Sequence, residues 1–117
     1  MKPLWTKKDL ILATNALDPS SYFLENFDGA WGVSIDDRTI QKGDLFIALI
    51  GDKFDGHDFI ENAIRKGAYG ILVSDKKLAY KYKGLLVEDT NNALRQIAKF
   101  SRHRFKGITI ALTGSSG

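Results

Sequence analysis

Residues 45–50 read Leu-Phe-Ile-Ala-Leu-Ile, an unbroken apolar run of strand length that follows the turn-like Lys42-Gly43 and ends at Gly51. A strand with no polar member is the kind buried within a sheet, so this run is the expected central strand. Downstream, the polar loop 51–58 leads into Phe59, Ile60, Ala63 and Ile64 at helical spacing, with Gly67 suited to the left-handed residue that closes such a helix. Gly70-Ile71-Leu72-Val73 then forms a short strand, completing a strand–helix–strand unit, and Leu85-Leu86-Val87 forms another. Upstream, Trp31, Val33 and Ile35 alternate with Gly32, Ser34 and Asp36, the period of a half-buried strand.

At the ends of the chain, Thr6 with Asp9 three residues on makes a capping-box start. Leu10, Ile11, Thr14 and Leu17 follow on one helix face, ending before Pro19. Asp89 or Thr90 caps a last helix carrying Leu94, Ile97, Ala98, Ser101 and Phe105. Ile108–Leu112 is a final strand running into Thr113-Gly114-Ser115-Ser116-Gly117. Strands alternating with helices predict an α/β architecture, a small mostly parallel or mixed β-sheet with flanking helices.

The 117 residues are 44% hydrophobic and 26% charged, an ordinary globular composition. There is no cysteine and there are two histidines, which excludes a disulfide framework, a thiolate zinc site and a histidine-rich metal site. The N-terminal basic residues have no apolar stretch behind them and no window approaches a membrane span, so the expectation is a cytoplasmic protein without membrane insertion. Charge is asymmetric: residues 1–56 carry 6 Lys+Arg against 9 Asp+Glu, and residues 57–117 carry 11 against 5. Arg95, Lys99, Arg102, His103, Arg104 and Lys106 form the densest basic stretch. A solvated helix face near the negative end of its dipole is favoured there over nucleic-acid binding, for which no aromatic signature or helix-turn-helix spacing is present.

Three places carry candidate chemistry. A strand delivering the glycine-rich Thr113–Gly117 is how a phosphate-binding loop begins, although the Lys and the Ser or Thr that complete such a loop would lie beyond Gly117; a flexible polar terminus is the alternative. Ending just after an apolar strand also favours a truncated chain. Asp36-Asp37-Arg38 sits where a strand ends, the usual address for ligands in open α/β sheets. There Arg38 either clamps a diphosphate or pairs structurally with an Asp. His57 between Asp55 and Asp58 has the chemistry of a general base or metal ligand, but loop ordering and capping is the commoner role, since no other residue completes a constellation. Phe54 either stacks on a base or plugs the core, and Trp5 and Trp31 read as core or interface residues.

Residues 35–60, Ile-Asp-Asp-Arg-Thr-Ile-Gln-Lys-Gly-Asp-Leu-Phe-Ile-Ala-Leu-Ile-Gly-Asp-Lys-Phe-Asp-Gly-His-Asp-Phe-Ile, followed by Ala63-Ile64 and Lys66-Gly67-Ala68-Tyr69-Gly70, resemble the N-terminal domain of the Mur ligase family of peptidoglycan synthesis, in its MurE and MurF branches. Ala111-Leu112-Thr113-Gly114-Ser115-Ser116-Gly117 resembles the start of the ATP-binding loop of the MurF branch, where Ser-Ser is usual and where the MurE branch has Thr-Asn.

The resemblance implies a three-domain enzyme that joins D-alanyl-D-alanine to UDP-N-acetylmuramoyl-tripeptide with ATP and Mg2+. Residues 1–88 would be the UDP-substrate domain and residues 89–117 the start of a P-loop ATPase domain. Such a fragment would be inactive alone and would hold no metal. By position, Ile35 and Asp37 would contact the uracil region, Asp52, Lys53 and Phe54 would form the facing loop, and Arg38 would anchor the motif or the diphosphate; Thr113, Gly114, Ser115, Ser116 and Gly117 would meet the ATP phosphates. The family more often has Ser or Thr at the position of Asp37. An ionised Asp accepts but cannot donate a hydrogen bond, which still suits the uracil imide N–H. The alternatives are a MurE-type ligase fragment, adding the third amino acid, and a non-enzymatic nucleotide- or nucleic-acid-binding module. The strand 108–112, lacking further neighbours, is expected to be an exposed edge that packs back or pairs with another copy.

Overall fold

The computed structural model describes residues 5–19, 29–104 and 112–113. Helix α1 spans Lys7–Thr14 and starts in the expected capping box: the Thr6 hydroxyl accepts from the Asp9 N–H at 3.1 Å, and the Asp9 carboxylate accepts from the Thr6 N–H at 3.3 Å. It ends earlier than its apolar spacing suggests, because Asn15 adopts the left-handed conformation (φ 59°) and its N–H closes on the Ile11 carbonyl at 2.7 Å. Leu17 therefore leaves the helix face. It is 65% exposed and pairs through its backbone with Leu86.

Strands β1 (Gly32–Ser34), β2 (Asp44–Ile47), β3 (Gly70–Val73), β4 (Leu85–Leu86) and β5 (Leu112–Thr113) form one sheet in the order β4-β3-β2-β1-β5. The apolar run thus supplies the central strand through Leu45, Phe46 and Ile47, but the strand is shorter than the run: Leu49 and Ile50 lie beyond its end, with Ile50 50% exposed and bridged to Asp55. Every ladder is parallel, the first of the two sheet types expected, and among the described residues antiparallel pairing is confined to isolated bridges such as Trp5 with Ala30. The edge strand packs back on its own sheet, where Val33 faces Leu112 and Ser34 faces Thr113; residues 108–111 of the expected strand lie outside the described residues.

The sheet divides the core in two by side-chain parity. Leu45 and Ile47 of β2 and Leu72 of β3 face one side, with Trp5, Leu10 of α1, and Ala93 and Ile97 of α4 (Thr90–Arg104). Phe46, Ala48, Ile71 and Val73 face the other, with Ile60 and Ala63 of α2 (Ile60–Arg65) and Ala79 of α3 (Lys76–Lys81). The half-buried alternation expected around β1 is not what the structure shows: Val33 and Ser34 are both fully buried, because helices cover both faces of the sheet, whereas Trp31, expected in a core or interface, is 40% exposed just before the strand.

Gly67 closes α2 with φ 118°, and Asp89 rather than Thr90 caps α4, its carboxylate accepting from Asn91 N–H at 2.9 Å and Asn92 N–H at 3.3 Å. Helix α3 has no counterpart in the sequence reading. Asp75 caps it by accepting from the Lys77 and Leu78 N–H groups, and Ala79 is its one fully buried residue, so it lacks the pair of buried apolar residues at helical spacing that α2 has in Ile60 and Ala63. α4 packs on α1, so residues on either side of position 88 share one core.

Candidate functional site

The carboxyl ends of β1 and β2 open between two loops, and a cavity of about 430 Å³ lies there, within the usual range for small-molecule sites. Ile35, Asp36, Asp37 and Arg38 line it after β1; Leu49, Phe54 and Gly56 line it after β2; Phe46 and Phe59 close it from the sheet and from the approach to α2. Four of the six residues assigned by resemblance to a nucleotide substrate are thus brought together: Ile35, Asp37, Arg38 and Phe54. Asp52 and Lys53 stand exposed in the same loop but do not line the cavity.

The turn after β1 is built by Asp36. Its carboxylate accepts from the Arg38 backbone N–H at 2.9 Å, capping the short helical turn Asp37–Thr39, and holds the guanidinium two-pronged, with Nε at 3.0 Å and Nη2 at 2.7 Å. The Arg38 side chain forms the structural pair with Asp36 and still remains 79% exposed at the edge of the cavity. Helix α2 pins the turn: the Asn62 amide donates to Asp37 Oδ2 at 2.5 Å, and Lys66 Nζ donates to the Arg38 carbonyl at 3.4 Å. Nothing in the sequence pointed to Asn62, 25 residues from its partner.

The guanidinium and the backbone N–H of Arg38 hold the Asp36 carboxyl below the usual carboxylate range. A lowered folded-state pKa means stabilisation that is present above the unfolded value of about 4 and lost as pH falls through the folded value. The stability gap between wild type and Arg38→Ala is therefore expected to close as pH drops below about 4, read from urea midpoints at successive pH values. A gap that persists unchanged at the lowest pH would show that the ion pair does not support the turn.

The loop after β2 is a miniature hairpin. Gly51 N–H donates to the Phe54 carbonyl at 2.9 Å, Gly56 N–H donates to the Leu49 carbonyl at 2.6 Å, and the Phe54 ring lies against the Gly51 backbone. Phe54 is 54% exposed, so it is a wall of the cavity rather than a core plug. His57 orders the loop, as the commoner role predicted. Ser74 N–H donates to Nε2 at 3.0 Å, which places the ring proton on Nδ1, where it is donated to Asp55 Oδ1 at 2.6 Å. Burial pushes the Asp55 carboxyl up, but hydrogen bonds from the His57 backbone and ring outweigh it and leave it below the usual range.

Among the described residues no cluster of three or more His, Cys, Asp or Glu side chains is placed to hold a metal, and no helix is long and apolar enough to cross a membrane. Thr113, assigned to the ATP site, stands beside Ser34 at the end of β5; Gly114, Ser115, Ser116 and Gly117 lie outside the described residues. Arg95, Lys99 and Arg102 are exposed on α4, whereas Lys106 is outside the described residues. Phe46, Leu49, Gly56 and Phe59 escaped the sequence reading as cavity residues, because strand parity and loop closure rather than spacing aim them at it.

The family profile described as "Mur ligase family, catalytic domain" matches residues 31–102. The chain is 43% identical over 86 residues to the UDP-N-acetylmuramoyl-tripeptide--D-alanyl-D-alanine ligase of Rickettsia prowazekii (strain Madrid E), a match covering 73% of this chain and 19% of the relative. It is 36% identical over 92 residues to the UDP-N-acetylmuramoyl-L-alanyl-D-glutamate--2,6-diaminopimelate ligase of Aquifex aeolicus (strain VF5), covering 74% of this chain and 18% of that one. The crystal structure of MurF from Acinetobacter baumannii superposes with a TM-score of 0.72 at 27% identity, over 87% of this chain and 22% of that one. The chain thus spans about a fifth of the length of these relatives. With the family match running through both loops of the cavity and over more than half of the residues, the chain belongs to the Mur ligase family.

Proposed function

We propose that this chain is the substrate-holding part of the ligase that adds D-alanyl-D-alanine to UDP-N-acetylmuramoyl-tripeptide, and that its cavity receives the uridine diphosphate end. The observation that carries the proposal is the convergence of Ile35, Asp37, Arg38 and Phe54 on one cavity. Apolar walls from Ile35, Leu49, Phe54 and Phe59 suit a flat base. Asp37, already accepting from Asn62, keeps lone pairs for an imide N–H, and the exposed Arg38 guanidinium suits a diphosphate.

Residues up to about 88 hold the substrate in this reading, and α4 and β5 lead toward a part that binds ATP through Thr113–Gly117. ATP use rests on the resemblance of that stretch to a phosphate loop. In this reading the residues that line the cavity bind and orient the substrate, and no bond-forming step is assigned to them.

Calorimetric titration with UDP-N-acetylmuramoyl-tripeptide and UDP is expected to show binding, with ATP binding weakly at most. No binding of either uridine compound would overturn the assignment. Arg38→Ala is expected to weaken the uridine compounds on the order of ten- to a hundredfold, the cost of losing a hydrogen bond to a charged group; unchanged affinity would confine Arg38 to its pairing with Asp36. The Aquifex match favours a second reading, the branch that adds the third residue, whereas Ser115-Ser116 and the Rickettsia match favour the first. A full-length parent that ligates a diamino acid to UDP-N-acetylmuramoyl-dipeptide would decide for the second.

A further inference from the structure

The hairpin that carries Phe54 leaves one pair of backbone groups facing away from its own bonds. Ile50 and Asp55 are an antiparallel bridge whose flanking hydrogen bonds run from Gly51 to Phe54 and from Gly56 to Leu49. In such a non-hydrogen-bonded pair the N–H and carbonyl of each residue point outward, away from the partner. The outward groups of Ile50 are both taken by one side chain. Asn91 Oδ1 accepts from the Ile50 N–H at 3.2 Å, and Asn91 Nδ2 donates to the Ile50 carbonyl at 3.2 Å, across 41 residues of sequence.

A carboxamide presents a donor and an acceptor at the spacing of a peptide group, so Asn91 acts as a one-residue neighbouring strand. Its own position is set by the start of α4, where the Asp89 carboxylate accepts from the Asn91 N–H at 2.9 Å. The aromatic wall of the cavity is thereby tied to the helix that leads toward β5.

We infer that Asn91 is a positioning residue for the nucleotide cavity, holding the Ile50–Asp55 hairpin, and with it the Phe54 ring, at the distance a bound base requires. This rests on the reading of the cavity as the uridine diphosphate site. Neither oxygen nor nitrogen of the amide is dispensable: aspartate keeps the acceptor and loses the donor, and alanine loses both.

The test uses the 117-residue chain, UDP as probe and amide exchange by NMR. Asn91→Ala is expected to raise the UDP dissociation constant by about three- to tenfold, as two modest exposed hydrogen bonds allow, and to speed exchange of the Ile50 N–H. Asn91→Asp is expected to weaken UDP less than alanine does while keeping the Ile50 N–H protected. Retained slow exchange of Ala93 and Ile97 in both variants would show that α4 still forms. Faster Ile50 exchange with unchanged UDP affinity would overturn the positioning role, and unchanged exchange in Asn91→Ala would overturn the clamp itself. Wild-type chain that binds no UDP would instead overturn the cavity assignment, and the positioning role with it, a result distinguishable because it appears before any substitution is made.

Discussion

Gly56→Ala is expected to lower stability by about 2–4 kcal/mol and to weaken UDP by about tenfold or more, the first from overpacking plus a lost hydrogen bond and the second from a displaced cavity wall. Gly56 is buried, and a Cβ there would lie 2.8 Å from the Leu49 nitrogen, 2.9 Å from its carbonyl oxygen and 3.0 Å from the Ala48 carbonyl carbon. All three neighbours are backbone. They cannot rotate aside, because Ala48 N–H is bonded to the Leu72 carbonyl at 3.1 Å and Leu49 leaves the central strand directly. The relief available is for the loop to lift, which breaks the 2.6 Å bond from Gly56 N–H to the Leu49 carbonyl and moves Phe54 with it. Urea unfolding and UDP titration of the same variant read both effects. A variant as stable as wild type that binds UDP equally would mean that this close approach does not shape the site.

Trp5→Ala is expected to cost about 3–5 kcal/mol, the range for removing a large aromatic from a packed core. The side chain is fully buried among Leu10, Val33, Ala93 and Ile97, with its ring centroid 5.9 Å from that of Phe100 on α4. Its backbone bonds with Ala30, at 2.9 and 2.7 Å, survive the substitution, so the loss reports the ring alone. Total stabilities of small domains are about 5–15 kcal/mol, so the variant is expected to sit near its unfolding threshold. A loss under 1 kcal/mol in urea unfolding would show that α1 and α4 are held to the sheet by other contacts.

The elements written in local spacing were legible before any coordinates. The run at 45–50 is apolar at every position, and its first three residues stand in the central strand with helices on both faces, while its end turns out into the hairpin that Ile50 shares with Asp55. Thr6 with Asp9 marks the start of α1 and Gly67 the end of α2, because caps and left-handed turns are chemistry of one or a few neighbouring residues. His57 between two aspartates was readable as loop ordering, although its bond to the Ser74 N–H was not. α3 is not legible, since Ala79 is its one fully buried residue and marks no apolar face, and the end of α1 is not, since the apolar spacing to Leu17 says nothing of the left-handed Asn15.

At the site, sequence alone determined which residues follow β1 and β2, and family resemblance chose Ile35, Asp37, Arg38 and Phe54 among them. Only the tertiary structure decided that these four share a cavity while Asp52 and Lys53 stand outside it. It likewise decided that Arg38 is held by Asp36, that Asn62 grips Asp37 across 25 residues, and that Asn91 grips Ile50 across 41. The division has a physical cause. Periodicity and capping are set within a few residues of the chain, whereas a side-chain amide meets a distant carboxylate or peptide group only after the sheet order and helix packing have fixed where each backbone runs.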